Sequence, residues 1–169
     1  DNRKYSVEPY NQDWIKQFEN EASRLKNCLE NKIISIEHVG STSVPGLAGK
    51  PTIDILIVVN NIHQVDDFES SLNKLGYTNL GEYVMEDSRL YIKESNNTRL
   101  VNLHFFKEGH KHIVAMVGLR DYFRSKSEIV NEYSALKFKL TKKYPDDYAS
   151  YRKEKDEWMN ALKNKLNYD

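Results

Sequence analysis

One carboxylate interrupts the most apolar strand-like stretch of the chain, Ile53-Asp54-Ile55-Leu56-Ile57-Val58-Val59. Burying a lone carboxylate is costly unless it is paired or bound to a metal, so Asp54 is expected at the working face of a sheet. The segment before it, Gly40 to Pro51, holds three glycines and two prolines, and Ile33 to Val39 before that is rich in β-branched residues. The pattern predicts strand, structured loop, strand.

Helical periodicity surrounds this unit. Trp14, Phe18, Ala22, Leu25 and Leu29 form one apolar stripe behind Asn11, which predicts a capped helix of about 18 residues. Val65, Phe68, Leu72 and Leu75 predict a second helix closed by Gly76. Arg89 to Glu94 and Arg99 to Phe106 read as strands of a hairpin turned by Ser95, Asn96 and Asn97. Beyond His112 the chain reads as helical. Tyr133, Leu136, Leu140 and Tyr144 make one stripe, and Tyr148, Tyr151, Lys155, Trp158, Leu162 and Leu166 another, separated and capped by Pro145 and Asp146. The fold class is α/β (α+β): a small mixed sheet with flanking helices and a C-terminal helical tail. At 169 residues this fits one domain over 1–169, with 1–110 as sheet core and 111–169 as tail.

Twenty-five basic residues balance 25 acidic ones, so nothing in the total favours a nucleic-acid backbone or an anionic membrane as partner. The single cysteine, Cys28, excludes an internal disulfide and a multi-cysteine metal site. Charges dot the first 20 residues, which predicts neither a membrane span nor a secretory signal and points to a soluble, cytoplasmic protein.

The loop is where chemistry is expected. A glycine at a strand exit lets the backbone approach a ligand, and Ser41 adds a hydroxyl beside N–H groups, so Gly40, Ser41, Thr42 and Lys50 are candidate phosphate ligands. Asp54 opposite them can hold a Mg²⁺ that bridges the phosphates. A loop of this composition also serves merely to turn the chain. Alternation along Arg99 to Phe106 puts Asn102 and His104 on one face. Arg89, Lys93 and Arg99 cluster in the hairpin, with Arg89 a candidate phosphate contact. Lys137 and Lys155 lie on apolar stripes, where a lysine must snorkel to water or meet an anion. Tyr133, Tyr148 and Tyr151 can stack on a base or pack helices. His110 and His112 read as solvated loop histidines, and His63 is given no role.

These residues resemble a known pattern. Gly40-Ser41 with Asp54 on the next strand is similar to the nucleotidyltransferase superfamily, in which Gly-Ser precedes two acidic residues one position apart. Asp54 falls on the second acidic position, and Thr52 stands where the first carboxylate would be. The resemblance narrows to the GrpB-like (UPF0157) family through Glu37 to Leu47, Lys50 to Asp54, Leu103-His104, Arg120-Asp121-Tyr122 and Tyr133 to Lys137. It implies a nucleotidyltransferase-like fold and, in some members, fusion to a dephospho-coenzyme A kinase. Where active enzymes carry a third carboxylate it implies His104, with Asn102 where relatives often show histidine. Asp54 and His104, joined by Glu37 or His38, then make a candidate acid/base pair or a site for Mg²⁺, Mn²⁺ or Zn²⁺. The resemblance extends to Lys137 and Lys155 as anion contacts. It also predicts that Thr52, Asp54, Asn102 and His104 line one concave surface. Two functions follow: transfer of a nucleotidyl group to a small acceptor, or a catalytically reduced module that binds a nucleotide or coenzyme A.

Overall fold

The computed structural model describes residues 4–168. Helix α1 (Asp13–Leu29) buries Trp14, Ala22, Leu25 and Leu29 along the expected stripe, and the Asn11 side chain accepts a hydrogen bond from Asp13 N at 2.9 Å. A five-stranded sheet follows, built from β1 (Ser35–Val39), β2 (Ile53–Val59), β3 (Thr78–Asn79), β4 (Ser88–Ser95) and β5 (Thr98–Lys107). Its order is β1-β2-β5-β4-β3, with β2 and β5 parallel and the other neighbours antiparallel. Asn96 and Asn97 both have positive φ, 52° and 64°, the backbone of the tight hairpin turn that asparagine tolerates.

The sheet has two unequal faces. Ile53, Ile55, Ile57 and Val59 of β2 pack with Val101, Leu103 and Phe105 of β5 against α1 and Ile62, Val65, Phe68 and Leu72, forming the main core. On the opposite face Val39, Leu56, Val58 and Phe106 meet Ile113, Met116 and Val117 of α3 (Lys111–Ser125). Val44 and Leu47 of the Gly40–Pro51 loop are buried with Phe123, Val130, Tyr133 and Leu162, residues of α3, α4 (Ser127–Lys143) and α5 (Tyr148–Lys165). Hydrophobic burial thus clamps the loop between sheet and helices.

Three expectations are corrected. Residues 62–68 form a 3₁₀ turn, and only Glu69–Lys74 is α-helical (α2). Ile62, Val65 and Phe68 are all buried at spacings of three, which a helix of three residues per turn aligns on one side. The helical tail breaks at Lys126, whose φ of −130° and ψ of 85° are not helical, so three helices replace two stripes. Asp147, not Asp146, caps α5 by accepting from Ser150 N at 3.1 Å.

Candidate functional site

The site begins at the exit of β1. Gly40 takes a φ of +76°, and a Cβ there would lie 2.6 Å from Asp54 Oδ2, so only glycine lets the loop rest on this carboxylate. Ser41–Ser43 then makes a single 3₁₀ turn. Two arginines one helical turn apart on α3 hold it from outside. Arg120 donates to His38 O at 3.1 Å and Arg124 to Ser43 O at 3.0 Å.

Parallel pairing of β2 with β5 sets Asp54 beside Asn102 and Leu56 beside His104. Asp54 Oδ1 accepts from Asn102 Nδ2 at 2.9 Å and lies 3.1 Å from His104 Nε2. Arg99 donates to Asn102 Oδ1 at 2.9 Å, and the Thr52 hydroxyl donates to Arg99 O at 3.0 Å. Thr52, Asp54, Asn102 and His104 are therefore one connected group. Burial opposes ionisation of Asp54, but the His104 and Asn102 hydrogen bonds and the nearby His104 and Lys50 charges outweigh it, holding the carboxyl below its usual range.

Lysines close the other side. Lys137, only 2% exposed, places Nζ 2.7 Å from Ser41 Oγ and 2.9 Å from Ala48 O, and 4.2 Å from the centre of the Tyr133 ring. No carboxylate pairs with it among the described residues. Burial, then the charges of Lys155 and Lys50, push its pKa well down, with Asp54 pulling the other way. Lys50 donates to the Tyr148 hydroxyl at 2.9 Å, and Lys155 lies 3.3 Å from Asp156.

Several expected residues lie elsewhere. Arg89 is on the opposite face of the sheet, bound to Asp66 at 2.9 and 3.3 Å. A one-residue shift between Lys93 and Glu94 sets Arg89 opposite Phe105 instead of His104, and a one-residue slip exchanges the faces of a strand. Lys93 goes with it and pairs with Glu21 of α1. Glu37 is taken by Arg120. His38 stacks on Phe18 with centroids 4.6 Å apart and meets Thr42 Oγ1 at 2.9 Å. Burial pushes its pKa down to about 4, with Arg124 and Arg120 adding to the effect and Asp54 opposing it. His110, expected as a solvated loop residue, is half-buried and caps α3, its side chain accepting from His112 N at 3.0 Å.

The four-residue metal set is consequently not assembled. Among the described residues no group of three or more His, Cys, Asp or Glu could hold a metal ion, and the one carboxylate at the loop already accepts from Asn102 and His104. These donors do not fit a metal held by the protein alone. Arg99, Arg120 and Arg124 are the site residues that sequence reasoning left without a role. The four-residue spacing of the last two on a helix was the available signal.

The GrpB protein family model matches residues 4–165. The chain belongs to the GrpB family. UPF0157 protein YqkA of Bacillus subtilis (strain 168) is 38% identical over 157 residues, covering 93% of this chain and 46% of YqkA, so the GrpB chain spans about half of that relative. The crystal structure of the conserved protein GrpB from Enterococcus faecalis superposes with a TM-score of 0.88 at 32% identity, covering 95% of this chain and 96% of that one. A structure of the Cid1 poly(U) polymerase shares the fold, with a TM-score of 0.57 at 14% identity over 79% of this chain and 44% of Cid1. A dephospho-CoA kinase of Mycolicibacterium paratuberculosis is 33% identical over 82 residues, covering 47% of this chain and 20% of that protein. The nucleotidyltransferase-like α/β fold expected for a GrpB chain is present. No helix of the described residues is long and apolar enough to cross a membrane.

Proposed function

We propose that this GrpB chain binds a small molecule carrying phosphate, a nucleotide or coenzyme A, against Gly40, Ser41 and the three lysines 50, 137 and 155. The observation that carries this reading is Lys137, a buried amine beside two further lysines with no counterion among the described residues. Such a group is costly to bury charged, and an arriving phosphate supplies the missing partner. The zero net charge supports a small-molecule partner over nucleic acid.

Nucleotidyl transfer to a small acceptor is the second reading, supported by Asp54 against Gly40 on the fold of a polymerase. Its weakness is the carboxylate count, since Thr52 and His104 stand where paired acids would be needed.

A thermal-shift panel of nucleoside triphosphates, coenzyme A and pyrophosphate, each with and without Mg²⁺, Mn²⁺ or Zn²⁺, tests both. A ligand at one hundred times its Kd stabilises by about 2.7 kcal/mol, a shift of about 5–10 °C for a domain of this size. Lys50→Ala and Lys155→Ala should reduce it. No shift with any ligand removes the binding reading. Pyrophosphate release that depends on Asp54 and on a divalent metal would favour transfer.

A further inference from the structure

We infer that Ser41 is a nucleophile and Lys137 its general base, forming a serine–lysine pair that attacks phosphorus. The inference rests on the phosphate reading above for its substrate class, and on separate geometry for its chemistry.

Ser41 Oγ and Lys137 Nζ are 2.7 Å apart, within reach for direct proton transfer. Ala48 O accepts a second hydrogen bond from Nζ at 2.9 Å. An uncharged amine satisfies both contacts, donating one hydrogen to the carbonyl and offering its lone pair to the hydroxyl hydrogen. The charged and titratable groups facing Nζ are Lys50 from the loop, Lys155 from α5, Asp54 from β2 and the Tyr133 ring on its own helix. Burial and the two like charges favour the neutral amine, and Asp54 and the face of the Tyr133 ring oppose them, the net shift being downward. A lysine desolvated beside other cations is the environment in which that side chain works as a base.

The backbone around the pair is arranged for close approach. A Cβ at Gly49 would come 2.8 Å from Ser41 Cβ and 3.6 Å from Lys137 Nζ, so residue 49 must lack a side chain for the pair to meet. Ala48 is also fastened to α4, its N–H donating to Ser134 Oγ at 3.0 Å. Ser41 itself is half-buried, whereas the neighbouring Thr42 and Ser43 are buried. Ser43 is further spent on Gly40 O, and Thr42 on His38. Of the three hydroxyls in the turn, Ser41 alone joins partial exposure to a buried amine.

With a nucleoside triphosphate the step balances without a further reactant. The Ser41 oxygen forms a bond to the α-phosphorus, the bond from that phosphorus to the bridging oxygen breaks, and pyrophosphate leaves with the electron pair. The serine proton ends on Lys137, which becomes cationic as negative charge leaves beside it. The oxygen of water or an alcohol then forms a bond to the same phosphorus, and the bond from phosphorus to the Ser41 oxygen breaks. That oxygen takes back the proton held on Lys137, and the nucleophile's own proton passes by way of the freed amine to solvent.

The test uses a neutral fluorophosphonate, which loses fluoride when a serine oxygen attacks its phosphorus. Intact mass and peptide mapping of the full chain should show one adduct, on Ser41. The adduct should be absent in Ser41→Ala and slowed about 100-fold or more in Lys137→Met and Lys137→Arg. In the wild type the labelling rate should rise with pH and level off well below pH 10.5. No adduct on Ser41, variant rates within twofold of wild type, or a rate that climbs in proportion to hydroxide up to pH 10 would each overturn the pair. The wild-type pH profile decides the matter even where a Lys137 variant fails to fold. Because the probe carries no charged phosphate, labelling of Ser41 without nucleotide binding would defeat the proposed function and leave the pair standing, and binding without labelling would do the reverse.

Discussion

Lys93, half-buried, and Lys137, buried, each carry their amine over a tyrosine ring, Tyr77 at 4.7 Å and Tyr133 at 4.2 Å. On the main-core face, Lys93 meets the Glu21 carboxylate, which also accepts from the Tyr77 hydroxyl and pairs with Arg24. Across the molecule, Lys137 meets only a serine hydroxyl and a carbonyl. The first network is closed and leaves nothing for a ligand to satisfy. In the second the missing counterion is the opening. A lysine paired with its carboxylate is architecture, whereas a buried amine without one is held toward its neutral form and is available for chemistry.

Breaking the closed network should have the largest effect on stability. Glu21→Gln strands Lys93 without its counterion and should destabilise the fold by about 3 kcal/mol in urea unfolding at pH 7. Burial works against ionisation of Glu21, yet the Lys93 and Tyr77 hydrogen bonds hold its pKa below 4.5. Its contribution is therefore present above pH 4.5 and lost as pH falls through the lower folded value. The deficit of Glu21→Gln should shrink over that acidic range. A loss below about 1 kcal/mol at pH 7 would mean that Lys93 needs no counterion, and the contrast with Lys137 would collapse.

Lys137→Met should behave in the opposite sense. Removing an uncompensated buried amine should leave stability within about 1 kcal/mol of wild type at pH 7, or raise it, while ligand-induced thermal shifts disappear. Folding lowers the pKa of Lys137 below 10.5, so the unfolded chain binds more protons between the folded value and 10.5. Wild-type stability should then gain on the variant as pH rises from neutral toward 10.5. A gap that stays constant over that range would show that burial does not perturb the amine. Paired urea titrations at pH 7 and pH 10 measure it.

The two regions were not equally legible in the sequence. Strict alternation put Thr52 with Asp54 and Asn102 with His104, the family resemblance brought those two strands together, and Gly40 was marked by its position at a strand exit. Lys137 stood out as a lysine on an apolar helix stripe. Its lack of a carboxylate did not, because it depends on what the loop and α5 bring near. The structural pair was harder still, since Glu21 and Lys93 are 72 residues apart and neither interrupts an apolar run. Arg120 and Arg124 were visible as a four-residue pair, but only the fold shows that they meet His38 O and Ser43 O. Long-range partners of this kind are set by tertiary packing, and no local pattern encodes them.

Arg89 shows how one backbone detail reassigns a residue, and it supplies the smallest expected effect. The Asn96-Asn97 turn pairs Ser95 with Thr98 and Glu94 with Arg99. Continued without interruption, that register would set Arg89 opposite His104, on the face of the candidate site. The irregularity between Lys93 and Glu94 instead moves Lys93 opposite Val101 and Arg89 opposite Phe105. Arg89 therefore reaches Asp66, whose side chain is 50% exposed, and solvent screens much of that attraction. Arg89→Ala should cost about 1 kcal/mol or less in urea unfolding and leave the ligand-induced thermal shift of the Lys137 site unaltered. Loss of that shift in a folded Arg89→Ala protein would mean that the two faces of the sheet communicate. The contrast between a closed structural network on one side and an open site on the other would then have to be redrawn.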